Sequence, residues 1–172
     1  MKTKYVLVIC FFLCLINCKN NPKSSSERSI ESDNTISEVE KTYYDFGMAY
    51  TDAWNSKKPN LVAYFFSETG TLTVNNNNPL IGRAQIAEFA NGFMTAFPDM
   101  KLTMDSLVVK SNATEYHWRF KGTNTGPGGT GNTVDFSGFE RWIFDENGKI
   151  QQSMGSFDEE EYERQVIGDT LN

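Results

Sequence analysis

An α+β domain, with helices gathered on one face of an antiparallel sheet, is predicted by three features of the 172-residue chain. Amphipathic helical stripes come first, long strand-like segments follow them, and polar or glycine-rich turns punctuate the second half. Once a leader and a tether are set aside, about one domain's worth of sequence is left.

Lys2 and Lys4 precede an almost unbroken apolar run from Tyr5 to Ile16. This predicts an export signal over residues 1–17, since the run is shorter than the ~20 apolar residues of a membrane span. Leu15-Ile16-Asn17-Cys18 resembles a lipobox, so Cys18 is the expected lipidation site, although Asn17 departs from the usual small residue. An ordinary secretory leader is the alternative, but no small-x-small cleavage site stands near the end of the run. Acyl chains on Cys18 would anchor the protein to a membrane of the bacterial cell envelope without crossing it. Cys10, Cys14 and Cys18 are the only cysteines, so the rest of the chain has no thiol for a disulfide, a zinc site or a nucleophile.

Residues 18–36 carry Asn, Ser, Lys, Glu and Asp with only two isoleucines, too little apolar surface to offset ordering entropy. They are expected to form a disordered tether, holding a domain of residues 37–172 an r.m.s. ~20–25 Å from the anchor. Beyond residue 23, 12 of the 16 basic side chains and all 22 acidic ones remain, a net charge of −10. That charge, with no basic stripe between aromatics, argues against nucleic acid as a partner.

Ser37 and Glu40 form a capping-box pattern ahead of Val39, Tyr43, Phe46, Tyr50 and Ala53-Trp54, whose spacing predicts the first helix. Pro59 suits the first turn of a short second helix through Phe65. Gly70 to Val74 reads as a strand and Asn75 to Pro79 as a turn. A third helix runs from Arg83, with Ile86, Phe89, Phe93 and Phe97 on one stripe, to Pro98, whose ring cannot continue it. Strands are expected over 100–109, 113–124, 132–144 and 149–157, the last two joined by the Asp145-Glu146-Asn147-Gly148 turn. A final helix over 159–166 has an acidic start that complements its dipole.

Ile81-Gly82-Arg83, Ala96-Phe97-Pro98-Asp99, Phe120-Lys121-Gly122-Thr123-Asn124-Thr125-Gly126, Asn147-Gly148-Lys149-Ile150 and Phe157-Asp158 occur in the order and spacing of the SnoaL-like polyketide cyclase family. Each motif is weak alone; together they resemble that family over Val39 to Val166. The resemblance implies a cone, in which a curved antiparallel sheet wraps on N-terminal helices, as in nuclear transport factor two, scytalone dehydratase and ketosteroid isomerase. It also implies that an aspartate at the end of the sheet acts as general base, and Asp158 is the matching position. Active cyclases usually carry histidine where this chain has Asn124, so a proton carrier is replaced by an amide. The fold hosts several unrelated activities and does not by itself license a reaction.

Alternation places Tyr116, Trp118, Phe120 and Asn124 on one strand face, and Val134, Phe136, Glu140, Trp142 and Phe144 on another. Both faces are expected to line the cone, where desolvation would raise the Glu140 pKa toward a useful acid–base range. Ile150, Met154 and Asp158 are expected to share a face, aiming Asp158 inward. Asp158 as base and Asn124 as donor to an enolate oxygen would then suffice for proton abstraction next to a carbonyl. Each has a structural alternative. Asp158 with Glu161 forms a capping box, Glu140 could pair with Arg119 or Arg141, and Asn124 could end a strand before the glycine loop. Tyr50 and Trp54 belong to core or pocket wall.

His117, the single histidine, falls on the face opposite the aromatics, and with Glu115 it finds no third metal ligand. Gly126 to Gly131 lacks the Lys-Ser/Thr ending of a phosphate loop and reads as a rim. Neither a metal nor a cofactor is implied. The leading reading is a pocket protein for a small apolar or aromatic molecule, with acid–base turnover through Asp158 and Asn124. The alternative is a non-catalytic ligand-binding or interaction lipoprotein, able to form a homodimer through the convex sheet face.

Overall fold

A computed structural model describes residues 25–168, with side chains described from residue 38. The expected export signal and the Cys18 anchor lie outside the described residues, as does the tether up to residue 24. The chain divides at residue 36, and the second unit, Ile36–Asn172, carries the sheet. Helix α1 spans Ser25–Asn55, so the stretch from Ser25 to Ile36 expected as tether is helical. No proline or glycine interrupts it there, and Ser37 and Glu40 lie inside the helix instead of capping it.

Within the second unit, α1 is followed by α2 (Pro59–Ala63), β1 (Phe66–Val74), β2 (Leu80–Ile81), α3 (Gly82–Ala96), β3 (Lys101–Lys110), β4 (Ala113–Thr123), β5 (Thr133–Phe144), β6 (Ile150–Phe157) and α4 (Glu159–Ile167). This is the expected α+β order, with β2 as an addition and β1 starting four residues earlier than its turn residues suggested. The six strands form one sheet in the order β2-β1-β6-β5-β4-β3. Every pair is antiparallel except β1 and β6, which run parallel. That exception follows from topology. α3 carries the chain from β2 to the far edge, and the three-hairpin meander returns β6 alongside β1. Register breaks at Met104/Ser106 and at Ile143/Phe144 add one residue each to β3 and β6, and such bulges bend and twist the sheet into a curve.

The concave face is packed with rings. Tyr116 stacks on Trp142 with centroids 4.7 Å apart and 16° between planes, and Tyr50 of α1 meets Trp142 edge-on at 5.1 Å. All three are fully buried. Aromatic pairs of this geometry contribute ~0.5–1.5 kcal/mol beyond the area they bury. The end of α1 is tied to the free edge of the sheet by Asn55, whose side-chain amide donates to the Leu102 carbonyl at 2.8 Å and accepts from its N–H at 2.7 Å. Asn55 thus substitutes for a neighbouring strand at that point of β3, and fixes where Trp54 sits above the sheet.

Candidate functional site

β4 and β5 pair without a bulge, so the alternation read from their sequences survives intact. Tyr116 faces Glu140, Trp118 faces Gly138, and Phe120 faces Phe136. A glycine opposite a tryptophan has a purpose here. A Cβ built on Gly138 would lie 2.5 Å from Trp118 Cζ2 and 2.6 Å from the Ser156 carbonyl oxygen, so the bare backbone lets the indole lie across the sheet.

Glu140 is 8% exposed, and among the described residues no cation pairs with it. Its Oε2 accepts hydrogen bonds from Ser153 Oγ at 2.7 Å and Trp142 Nε1 at 2.9 Å, and the Tyr50 hydroxyl donates to both carboxyl oxygens at 3.2 and 3.3 Å. Arg119, one of the ion-pair partners considered for it, is engaged with Asp135 at 2.6 Å on the outer face. Burial raises the Glu140 pKa above its ordinary value, against the opposing pull of the three donors. The same environment, and then the carboxylate's own charge, pushes the Tyr50 phenol well above its ordinary range. Tyr50 therefore stays protonated and remains a donor.

Glu140 is the one ionisable residue lining a cavity of about 60 Å³, otherwise walled mainly by Trp54, Phe93, Trp118, Phe120 and Phe136. A second hollow of about 330 Å³ shares Val74, Phe89, Phe93 and Phe157 with it and adds Asn77, Asn78, Glu159 and Tyr162. The two share part of one apolar wall. The chamber that Glu140 lines resembles a small-molecule site in its composition, apolar walls around few polar groups.

Of the residues singled out from sequence, Trp54, Trp118, Phe120 and Glu140 line the chamber. Tyr50 and Trp142 stand behind it, fully buried, and reach it only through Glu140. Met154 is a correction. The bulge at Gln151 inverts the parity of β6, so Met154 pairs with Arg141 on the outer face while Ser153, paired with Trp142, and Gly155, paired with Glu140, turn inward. The same inversion removes the face shared by Ile150 and Asp158. The Asp158 carboxylate caps α4, accepting from Glu161 N–H at 2.9 Å. Asn124 is buried, but its amide is occupied: Oδ1 accepts from Thr130 N–H at 2.8 Å, and Nδ2 donates to the Ala96 carbonyl at 3.3 Å. It holds the glycine loop against the end of α3. Neither Asp158 nor Asn124 is among the residues lining the chamber.

Sequence reasoning missed Ser153, Phe157 and the wall role of Phe89 and Phe93. The phenylalanines carried a signal, the helical stripe, but a stripe does not distinguish core from cavity wall. His117 is solvent-facing, with 40% of its side chain exposed, 3.8 Å from Glu115. Among the described residues, no group of three His, Cys, Asp or Glu side chains is arranged to hold a metal ion.

Solved structures of similar fold include a hypothetical protein of ketosteroid isomerase-like fold from Catenulispora acidiphila, in complex with trimethylamine. It is 14% identical, with a TM-score of 0.61 over 69% of this chain and 89% of that one. The epoxide hydrolase/cyclase-like enzyme SalBIII, of pyran ring formation in the polyether salinomycin, is 17% identical with a TM-score of 0.61, covering 71% of this chain and 95% of its own. A phenazine biosynthesis-related protein from Pseudomonas aeruginosa is 14% identical with a TM-score of 0.56, covering 72% and 90%. At these identities the likeness is one of fold. No curated protein matches the chain. The model of the SnoaL-like polyketide cyclase family matches residues 45–166, which hold the sheet, the chamber and Glu140, and the chain belongs to that family.

Proposed function

We propose that this protein is a membrane-anchored pocket domain that binds a small apolar or aromatic molecule and acts on it by acid–base chemistry without a cofactor. The observation that carries this reading is Glu140, a desolvated carboxyl with no cationic partner among the described residues, at the wall of an apolar chamber. A carboxylate so placed is a stronger base than one in water, and when protonated it is an acid at a pH where an ordinary glutamic acid is ionised. Its geometry is fixed by Tyr50, Trp142 and Ser153, so little reorganisation is needed as it gains or loses a proton. With a ketone bound, Glu140 takes the proton from the carbon next to the carbonyl, the C–H electron pair passes into the enolate, and the same carboxyl returns the proton. Asp158 and Asn124 support the site in this reading by holding α4 and the glycine loop, and the acid–base role falls to Glu140.

Incubating the protein with small cyclic ketones in D₂O tests this directly. The wild type should accelerate deuterium entry next to the carbonyl, and Glu140→Gln should abolish the acceleration. Asp158→Asn should retain it. Equal rates with and without protein would favour the second reading, a non-catalytic binding or interaction module. The small chamber volume, and an amide at Asn124, are the observations on that side. A homodimer through the outer sheet face belongs with that second reading, supported by Phe139, 38% exposed beside His117. Anchoring through Cys18 rests on the lipobox-like sequence. Replacing Cys18 with serine should move the protein from the membrane fraction to the soluble one, and retention on the membrane would overturn it.

A further inference from the structure

Two of the motif segments, Ile81-Gly82-Arg83 and Asn147-Gly148-Lys149-Ile150, each carry one cation, and the fold brings both cations to the same ring. Tyr64, at the end of α2, is 61% exposed. The Lys149 ammonium lies 3.7 Å from its ring centroid and the Arg83 guanidinium carbon 5.4 Å, so the two cations stand no farther apart than those distances laid end to end. Backbone carbonyls of one short segment hold them there. Arg83 Nε donates to the Phe66 carbonyl at 2.8 Å, and Lys149 Nζ to the Tyr64 carbonyl at 3.0 Å. Each bond uses one donor and leaves the two terminal nitrogens of the guanidinium and two ammonium protons. Like charges so close repel, and a carboxylate is the usual offset. The chain beyond residue 23 carries a net charge of −10, yet it places none here. Among the described residues, Lys41, Lys110, Arg119, Lys121 and Arg164 each make an ion pair, while Arg83 and Lys149 make none. Asp145, in the same turn as Lys149, accepts instead from the backbone N–H groups of Asn147 and Lys149.

We infer that Arg83, Lys149 and Tyr64 form a binding site for a phosphate-class anion. The site is separate from the chamber, since none of the three lines either hollow, and it stands whether or not the chamber turns over a ligand. The guanidinium supplies a planar pair of N–H donors that matches two anion oxygens, and the ammonium adds a compact charge beside it. The Tyr64 hydroxyl, without a hydrogen-bond partner among the described residues, is a further donor. Two cations without a carboxylate favour a dianion over chloride. A soluble phosphate compound and the phosphate headgroup of a lipid share this chemistry.

The test titrates the full chain with inorganic phosphate and, separately, with dihexanoyl phosphatidic acid below its micelle concentration, at an ionic strength held constant with sodium chloride. Binding is followed by NMR on the Arg83 Nε–H, Lys149 ammonium and Tyr64 ring signals. Lys58 and Lys101, exposed and outside any ion pair, are the references. The expected result is a saturable shift at Arg83, Lys149 and Tyr64 that leaves Lys58 and Lys101 unmoved. Arg83→Gln and Lys149→Gln should each weaken binding about tenfold, the return from one charge-assisted hydrogen bond. An unchanged Trp142 indole signal in each variant shows that the fold is kept. A response to inorganic phosphate, with or without the lipid, assigns the site to soluble phosphate compounds, and a response to the lipid alone assigns it to a headgroup. No shift with either probe, a shift that chloride reproduces, or one that survives both substitutions overturns the inference.

Discussion

Replacing Glu140 with glutamine and with leucine separates the two things this carboxyl does, holding three donors and carrying a titratable proton. Leucine removes the acceptor for Trp142 N–H, Ser153 Oγ and the Tyr50 hydroxyl at once. The indole donor cannot turn away, while the two hydroxyls can in part. An orphaned buried donor costs ~1–3 kcal/mol, so the net loss should be about 3 kcal/mol after the apolar replacement recovers some desolvation. Glutamine fits better. Its oxygen can sit where Oε2 accepts from Ser153 and Trp142, and its amide can face Tyr50. Folding raises the Glu140 pKa, so between the ordinary value near 4.5 and the raised one the native state binds more protons than the unfolded state. Wild-type stability should therefore fall as pH rises through that window, by at most ~1.4 kcal/mol per pH unit for one proton, and level off above it. Glu140→Gln should lack this component and match or exceed the wild type at neutral pH. Urea unfolding midpoints at steps from pH 4.5 to 8 read both effects. Parallel profiles for wild type and Glu140→Gln would refute the raised pKa, and a leucine variant as stable as glutamine would refute the three-donor network.

Further outcomes follow from the same geometry. Asp158→Ala should cost ~1 kcal/mol through loss of the α4 cap, seen as a lower urea midpoint, without weakening binding of cyclohexanone. Asn124→Ala should cost ~1 kcal/mol by removing the acceptor of Thr130 N–H, and amide hydrogen exchange should rise in the 124–131 loop before it rises in β5. Gly138→Ala should cost ~1–3 kcal/mol, because the methyl meets both Trp118 and a backbone carbonyl, and the Trp118 indole signal should shift or broaden. The Asp135 carboxyl, held down to about 2 by Arg119 and Lys121, should keep its charge in a carbon NMR titration to well below pH 4, and Arg119→Gln should raise its midpoint.

What could be read from sequence divides along β-sheet parity. β4 and β5 run without a bulge, so period-two alternation put Tyr116, Trp118, Phe120, Glu140 and Trp142 on the concave face correctly. β6 carries an extra residue at Gln151, and one residue is enough to reverse every side chain after it, which is why Met154 and Asp158 were assigned to the wrong face. Bulges leave no reliable mark in a single sequence. Glu140's surroundings were hidden for a different reason: its donor Tyr50 is 90 residues away, and contact across the fold is not a periodicity. The parallel β1–β6 pair was likewise a product of the long return through α3 and the meander. Local chemistry was legible, as at the Asp158–Glu161 cap, where the same four residues permitted two roles and the geometry fills one.

The reading of this site stands on the protonation of one side chain. Glu140 should be followed by carboxyl-carbon NMR across the pH range, with Glu140→Gln to assign its signal. A midpoint clearly above the ordinary glutamate value, moving further when cyclohexanone fills the chamber and excludes water, is the predicted result. A midpoint at or below the ordinary value would show a solvated or charge-paired carboxylate, and the acid–base site described here would be contradicted.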